Sequence, residues 1–207
     1  LFFFIGSFCM RSVGCIINDY LDRSIDKLIT RTSDRPLVSG KINFFEALVL
    51  LIILIIPSCF ILLQFNFMAI ILAIISIPLI CIYPLMKRYT FWPQLVLGLV
   101  FSWGVIIASA QNQETLSLQT ILMYIACIFW TLGYDTIYAY QDREDDIKIN
   151  LKSTAILFKD HGKIIVMLFY CLFILFIFFS KNYFDLKLFD FSILIAFLIL
   201  LILFINK

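Results

Sequence analysis

Apolar residues run along this chain in blocks of about 20, the length a helix needs to cross the roughly 30 Å hydrocarbon layer of a bilayer. Polar breaks delimit seven such blocks, at about residues 1–17, 43–65, 67–86, 92–110, 116–138, 162–180 and 188–206. The pattern predicts an all-α fold, a multi-span transmembrane helical bundle. Composition agrees: 63% of the 207 residues are hydrophobic and 14% are charged, which would leave a soluble domain with more apolar surface than it can cover. The chain opens on Leu1 inside an apolar block, so the first segment is read as cut into.

Charge then orients the blocks. Lys and Arg near the ends of spanning helices stay preferentially on the cytoplasmic side. Arg23, Lys27, Arg31, Arg35 and Lys41 follow the first block, the break near residues 64–66 is uncharged, and Lys87 and Arg88 follow the third block. The next break holds only Glu114, and Arg143, Lys148, Lys152, Lys159 and Lys163 follow the fifth block; the last loop, with Lys181, Lys187 and Asp185, departs from this alternation. The first, third and fifth loops are therefore predicted on one cytoplasmic or matrix face, and they carry nearly all the acidic residues.

Several chemistries are disfavoured at once. A net charge of +2 and the lack of a Gly-rich phosphate loop argue against nucleic-acid or nucleotide binding. The six cysteines lie in apolar runs without ligand spacing, and the lone His161 has no partners for a zinc site.

Two acidic stretches remain. Asn18, Asp22 and Asp26 recur every four residues in a segment that should stay helical, with Asp19 beside the stripe, so the four share one face. Asp135, Tyr138, Asp142 and Asp146 share a face of a second helix in the same way, with Asp135 deepest, where an unpaired charge costs a few kcal/mol. Like charges so placed repel, and a hard divalent ion with oxygen ligands is the natural counter-ion. Combined with Arg23, Arg31, Arg35, Lys87, Arg88, Arg143 and Lys152, the two rows describe a site for a Mg²⁺-bound diphosphate. A divalent-cation transporter is a competing reading, but an ion pathway would place its charges near the midplane on broken helices, whereas these rows sit at helix ends.

The first row spells N-D-x-x-D-x-x-x-D and the second D-x-x-x-D. With R-T-S-D-R-P-L-V-S-G at 31–40, Y-P-L-M-K-R-Y-T-F-W-P-Q-L-V-L-G at 83–98 and K-S-T-A-I-L-F at 152–158, the chain resembles the UbiA family of intramembrane prenyltransferases, in particular its 4-hydroxybenzoate polyprenyltransferase branch. The resemblance implies nine spans around a central cavity, of which about seven are present here at roughly 20 residues each. It implies one prenyltransferase domain over 1–207 that uses Mg²⁺ to move a polyprenyl group from its diphosphate to the ring of 4-hydroxybenzoate, an early step of ubiquinone synthesis. A naphthoate, homogentisate or porphyrin acceptor is the alternative within the same superfamily.

Expected metal ligands are Asn18, Asp19, Asp22 and Asp26 for one ion, and Asp142 and Asp146 for the other. Arg23, Arg35, Lys87, Arg88 and Lys152 are the expected diphosphate contacts, with Arg23 and Arg88 counted among the catalytic groups beside Asp22, Asp26, Asp142 and Asp146. Arg11, Tyr138 and Asp135 are candidates for the acceptor or the allylic cation. The expected location is a bacterial inner membrane, with a mitochondrial inner membrane as the alternative.

Overall fold

A computed structural model describes residues 2–113 and 116–184, with isolated positions at 192, 195, 196 and 199. The described residues form helices and short turns, with no strand among them. The order is α1 (Phe2–Leu21), α2 (Arg23–Asp26), α3 (Pro36–Ser39), α4 (Phe44–Leu62), α5 (Phe67–Ile82), α6 (Met86–Tyr89), α7 (Pro93–Phe101), α8 (Trp103–Gln113), α9 (Leu118–Lys148), α10 (Thr154–Phe158) and α11 (Gly162–Phe184). Six stretches among the described residues are long and apolar enough to span a membrane: Phe2–Leu21, Phe44–Leu62, Phe67–Tyr89, Pro93–Asn112, Leu118–Lys148 and Thr154–Ser180. The predicted seventh block, 188–206, lies almost wholly outside the described residues, as do Glu114 and the loop at 185–187.

Side-chain caps set where the helices start. Asn43 and Glu46 form a reciprocal capping box at α4, each side chain accepting the other's backbone N–H, at 2.9 and 2.8 Å. Asn66 caps α5 and also donates to the Ala110 carbonyl at 2.7 Å, tying the short α4–α5 turn to the end of α8. Pro57 and Pro78 sit inside continuous helices α4 and α5. The predicted block 92–110 is divided at Ser102, where α7 gives way to α8.

The outward faces are apolar: Ile53, Ile56, Phe60 and Phe67 are all more than half exposed, as suits contact with lipid. The interior is small and hydroxyl-bearing instead. Ala69, Ala110, Ala126, Thr120, Thr136 and Thr154 are fully buried, and Ser109–Thr120 and Thr136–Thr154 hydroxyl pairs at 2.7 and 2.8 Å join α8 to α9 and α9 to α10. Helix α9 is the axis of the bundle, packing most extensively on α11 and also on α7, α8 and α10; α1 packs on α4. A methyl group at Gly133 would lie 2.7 Å from the Tyr170 ring, so α9 and α11 approach this closely only because position 133 has no side chain.

Candidate active site

Helix α9 is longer than a bilayer crossing needs. At 1.5 Å per residue the 31 residues of α9 extend about 46 Å, some 16 Å more than the hydrocarbon layer. Asp135, Tyr138, Asp142 and Asp146 follow one another along the face of α9 that lines a cavity of about 170 Å³. The first row reaches the same cavity by a different local route. Helix α1 stops at Leu21, Asp22 adopts φ −96° and ψ 2°, and the chain resumes as α2. This corrects the expectation of one unbroken helix, yet the four-residue spacing survives: Asp22 N–H donates to the Asn18 carbonyl at 2.9 Å, and Asp26 N–H to that of Asp22 at 2.8 Å. Asn18, Asp22 and Asp26 therefore still line the cavity together.

Burying two carboxylates is costly unless each finds a cation. Asp22 and Asp26 are 1% and 3% exposed. Lys87 Nζ lies 2.6 Å from Asp22 Oδ2, and Arg88 Nη2 lies 3.6 Å from Oδ1 while donating to the Leu21 carbonyl. Arg35 Nη1 bridges Asp19 and Asp26 at 2.7 and 3.0 Å. Across the cavity Arg31 forks onto Asp142, its Nε 2.8 Å from Oδ1 and its Nη2 on Oδ2. Burial holds the Asp26 carboxyl above the ordinary carboxylate range, with Arg35 and Lys87 pulling it down and Asp22 pushing it up.

The structure divides the remaining candidates. Lys152 lines the cavity, but its ammonium donates to the Tyr89 carbonyl at 3.0 Å and lies over the Phe91 ring. Its backbone N–H donates to the Lys87 carbonyl at 2.8 Å, which steadies the turn carrying Lys87. Arg88 borders a second cavity, with Ser24 and Asn150, and meets the first one only through Asp22. Asp19, an expected ligand, is not on the cavity wall and is joined to it only through Arg35. Arg23 and Arg11 are not brought to the cavity wall. Arg23 has a buried Nε without a hydrogen-bond partner, and Arg11 lies over the Phe101 ring and against Cys15.

Arg31, Thr32 and Gln94 are among the wall residues that the sequence pattern does not single out. In the sequence Arg31 is one of several cations beside the first row, with nothing to single it out. Thr32 is buried, its hydroxyl donating to the Asp26 carbonyl at 3.1 Å. Gln94 is 6% exposed and accepts the Thr154 N–H at 3.1 Å, fixing α10 against α7. Its signal was available: an amide side chain just inside an apolar spanning block.

The donor set suits a hard divalent ion. Every candidate ligand is an oxygen atom, and Asp22 Oδ1 is buried with no hydrogen-bond partner, Arg88 Nη2 lying 3.6 Å from it. Among the described residues no three His, Cys, Asp or Glu side chains converge as a closed metal cage. Mg²⁺ does not need one, since it takes one or two carboxylates and completes its shell with phosphate oxygens and water.

Comparison with known proteins gives a consistent picture. The model of the UbiA prenyltransferase family matches residues 1–207. The 4-hydroxybenzoate octaprenyltransferase of Pseudomonas syringae pv. tomato is 47% identical over 165 residues, covering 80% of this chain and 56% of that protein. The enzymes of the same name from Ectopseudomonas mendocina and Vibrio cholerae are 49% and 48% identical over 167 and 164 residues, covering 80% and 79% of this chain and 56% and 58% of the relatives. The chain thus spans little more than half the length of these curated relatives. Its fold matches the apo structure of a UbiA homolog from Aeropyrum pernix K1 with a TM-score of 0.79 at 24% identity, over 99% of this chain and 76% of that one. It matches a digeranylgeranylglyceryl phosphate synthase structure with a TM-score of 0.69 at 21% identity, over 100% and 73% of the two chains.

Proposed function

Because this integral-membrane chain belongs to the UbiA prenyltransferase family, we propose that it transfers a polyprenyl group from polyprenyl diphosphate to the aromatic ring of 4-hydroxybenzoate, in the synthesis of ubiquinone. The observation that carries this reading is the single cavity into which both carboxylate rows and their interleaved cations face, at one end of an otherwise apolar bundle.

In the proposed reaction the carbon–oxygen bond of the allylic diphosphate breaks, and the diphosphate leaves with the electron pair. The allylic carbon then bonds to the ring carbon ortho to the phenol hydroxyl, and that carbon loses its proton. Asn18, Asp22 and Asp26 would hold one Mg²⁺, and Asp142 and Asp146 the other. The bound ions would neutralise the charge that gathers on the leaving diphosphate. Arg31, Arg35 and Lys87, now paired with Asp142, Asp26 and Asp22, supply three further positive charges that can turn from carboxylate to phosphate oxygen. Arg88 supports Asp22 from behind, and Lys152 positions the Lys87 turn. Asp135 and Tyr138, about two turns and one turn below Asp142 on the cavity wall, would face the allylic cation. Apolar helix walls keep water from that cation. The expected setting is the bacterial inner membrane with the acidic rows on the cytoplasmic side, as the positive loops require.

The test is to supply membranes containing the full-length protein with Mg²⁺, a polyprenyl diphosphate and each aromatic acceptor in turn. Prenylation of 4-hydroxybenzoate should exceed that of naphthoate, homogentisate or porphyrin acceptors. Preference for another acceptor would overturn the substrate assignment, and no transfer to any acceptor would overturn the reaction.

A further inference from the structure

The polar segment between α2 and α3, residues 27–35, lies across the gap between the two acidic rows. Two residues pin it on the side of the first row: Ile29 is 4% exposed, and buried Thr32 donates its hydroxyl to the Asp26 carbonyl. On the other side Thr30 donates twice to a single oxygen, its backbone N–H and its hydroxyl reaching Asp145 Oδ2 at 3.2 and 3.1 Å. The second oxygen of Asp145 accepts Lys148 Nζ at 2.9 Å, an exposed pair that leaves Oδ2 to Thr30. The next residue, Arg31, then lays its guanidinium along Asp142, three positions before Asp145 and so on the neighbouring face of α9.

Asp145 does not line the cavity, and neither does Thr30. The Arg31 side chain is 44% exposed, and a long side chain in water is free to sample many rotamers unless its origin is held. A backbone N–H anchored one residue earlier supplies that hold. Resting on the prenyl-transfer reading above, we propose that Thr30 and Asp145 are positioning residues that dock the 27–35 strap onto α9 and so aim Arg31 into the diphosphate site. Their contribution is then confined to the binding of the diphosphate substrate, because neither lines the cavity and both reach it only through Arg31.

The test uses full-length protein in membranes and reads both kinetic constants for each substrate. Asp145→Ala should raise the KM for polyprenyl diphosphate about five- to tenfold, while kcat and the acceptor KM stay within about twofold. Asp145→Asn keeps an oxygen acceptor for Thr30 and should restore most of the loss, and Thr30→Ser should behave as wild type. Thr30→Ala combined with Asp145→Ala should be no worse than Asp145→Ala alone, the signature of one shared interaction. Lys148→Ala, which leaves both Thr30 bonds in place, should change the diphosphate KM by less than about twofold.

A second readout does not depend on the reaction: trypsin should cut the strap at Lys27 and Arg31 faster in Asp145→Ala than in wild type. Absence of prenyl transfer by the wild type would sink the reaction while leaving this docking measurable. The positioning role is overturned if Asp145→Ala leaves both the diphosphate KM and the cleavage rate unchanged, if Lys148→Ala reproduces its effect, or if kcat and both KM values shift together without rescue by Asn.

Discussion

Lys87→Ala removes the close counter-ion of Asp22, a carboxylate that is 1% exposed and has the Lys87 ammonium 2.6 Å away. Stranding one partner of a buried ion pair typically costs about 3–5 kcal/mol. Two features soften the loss here: the Lys87 side chain is 23% exposed, and Arg88 keeps a nitrogen 3.6 Å from the other Asp22 oxygen. We therefore expect about 2–3 kcal/mol of destabilisation, after discounting for solvent screening. For a chain of this size that lowers the thermal midpoint by about 4–10 °C.

The complementary change should cost less. In Asp22→Asn the orphaned lysine can turn its ammonium toward water along its flexible stem, so about 1 kcal/mol is expected. Millimolar Mg²⁺ should narrow the gap between Lys87→Ala and wild type, because an ion at Asp22 replaces the missing charge in the folded state alone. Tryptophan fluorescence of detergent-solubilised protein, followed during heating with and without Mg²⁺, measures all of this. Asp22→Asn proving as costly as Lys87→Ala, or Mg²⁺ stabilising all variants equally, would refute the reasoning.

Asp22→Ala and Asp142→Ala should each lower prenyl transfer more than about 100-fold while leaving membrane insertion intact, measured by turnover and by fractionation; unchanged turnover in both would remove them from the site. Gly133→Ala should destabilise the bundle by about 1–3 kcal/mol, because the new methyl meets the Tyr170 ring at 2.7 Å, and Tyr170→Leu in the same chain should recover part of the loss on heating. Burial raises the Asp26 pKa in the folded chain, so its neutral form is the one favoured by folding. The metal-free protein should accordingly lose stability as pH rises from the ordinary value of 3.8 through the raised one, and Asp26→Asn should flatten that slope in a pH series of thermal midpoints.

Much of this architecture is legible in the one-dimensional pattern because lipid imposes length and polarity directly on each span. The predicted block 43–65 and helix Phe44–Leu62 differ by only a few residues, and the two Asp rows keep their helical phase into the structure. Features that depend on tertiary approach were not legible. The break at Ser102 has no Pro to announce it, and the bend at Asp22 interrupts a run that reads as continuous helix. The positive-inside rule placed Arg23, Arg31, Arg35 and Arg88 on one side but could not rank them. Arg31 meets Asp142 across 111 residues, whereas Arg23 is not on the cavity wall. Lys152 was read from its charge, whereas its backbone N–H and its hold on the Tyr89 carbonyl determine what it does.

The account rests most heavily on the two rows sharing one metal-bound diphosphate. Counting Mn²⁺ bound to the full-length protein by electron paramagnetic resonance, with an unreactive polyprenyl diphosphate analogue present, addresses this directly. Two ions per chain, magnetically coupled in the wild type and reduced to one by either Asp26→Ala or Asp142→Ala, is the predicted result. Two uncoupled ions, or binding that survives both substitutions, would contradict it.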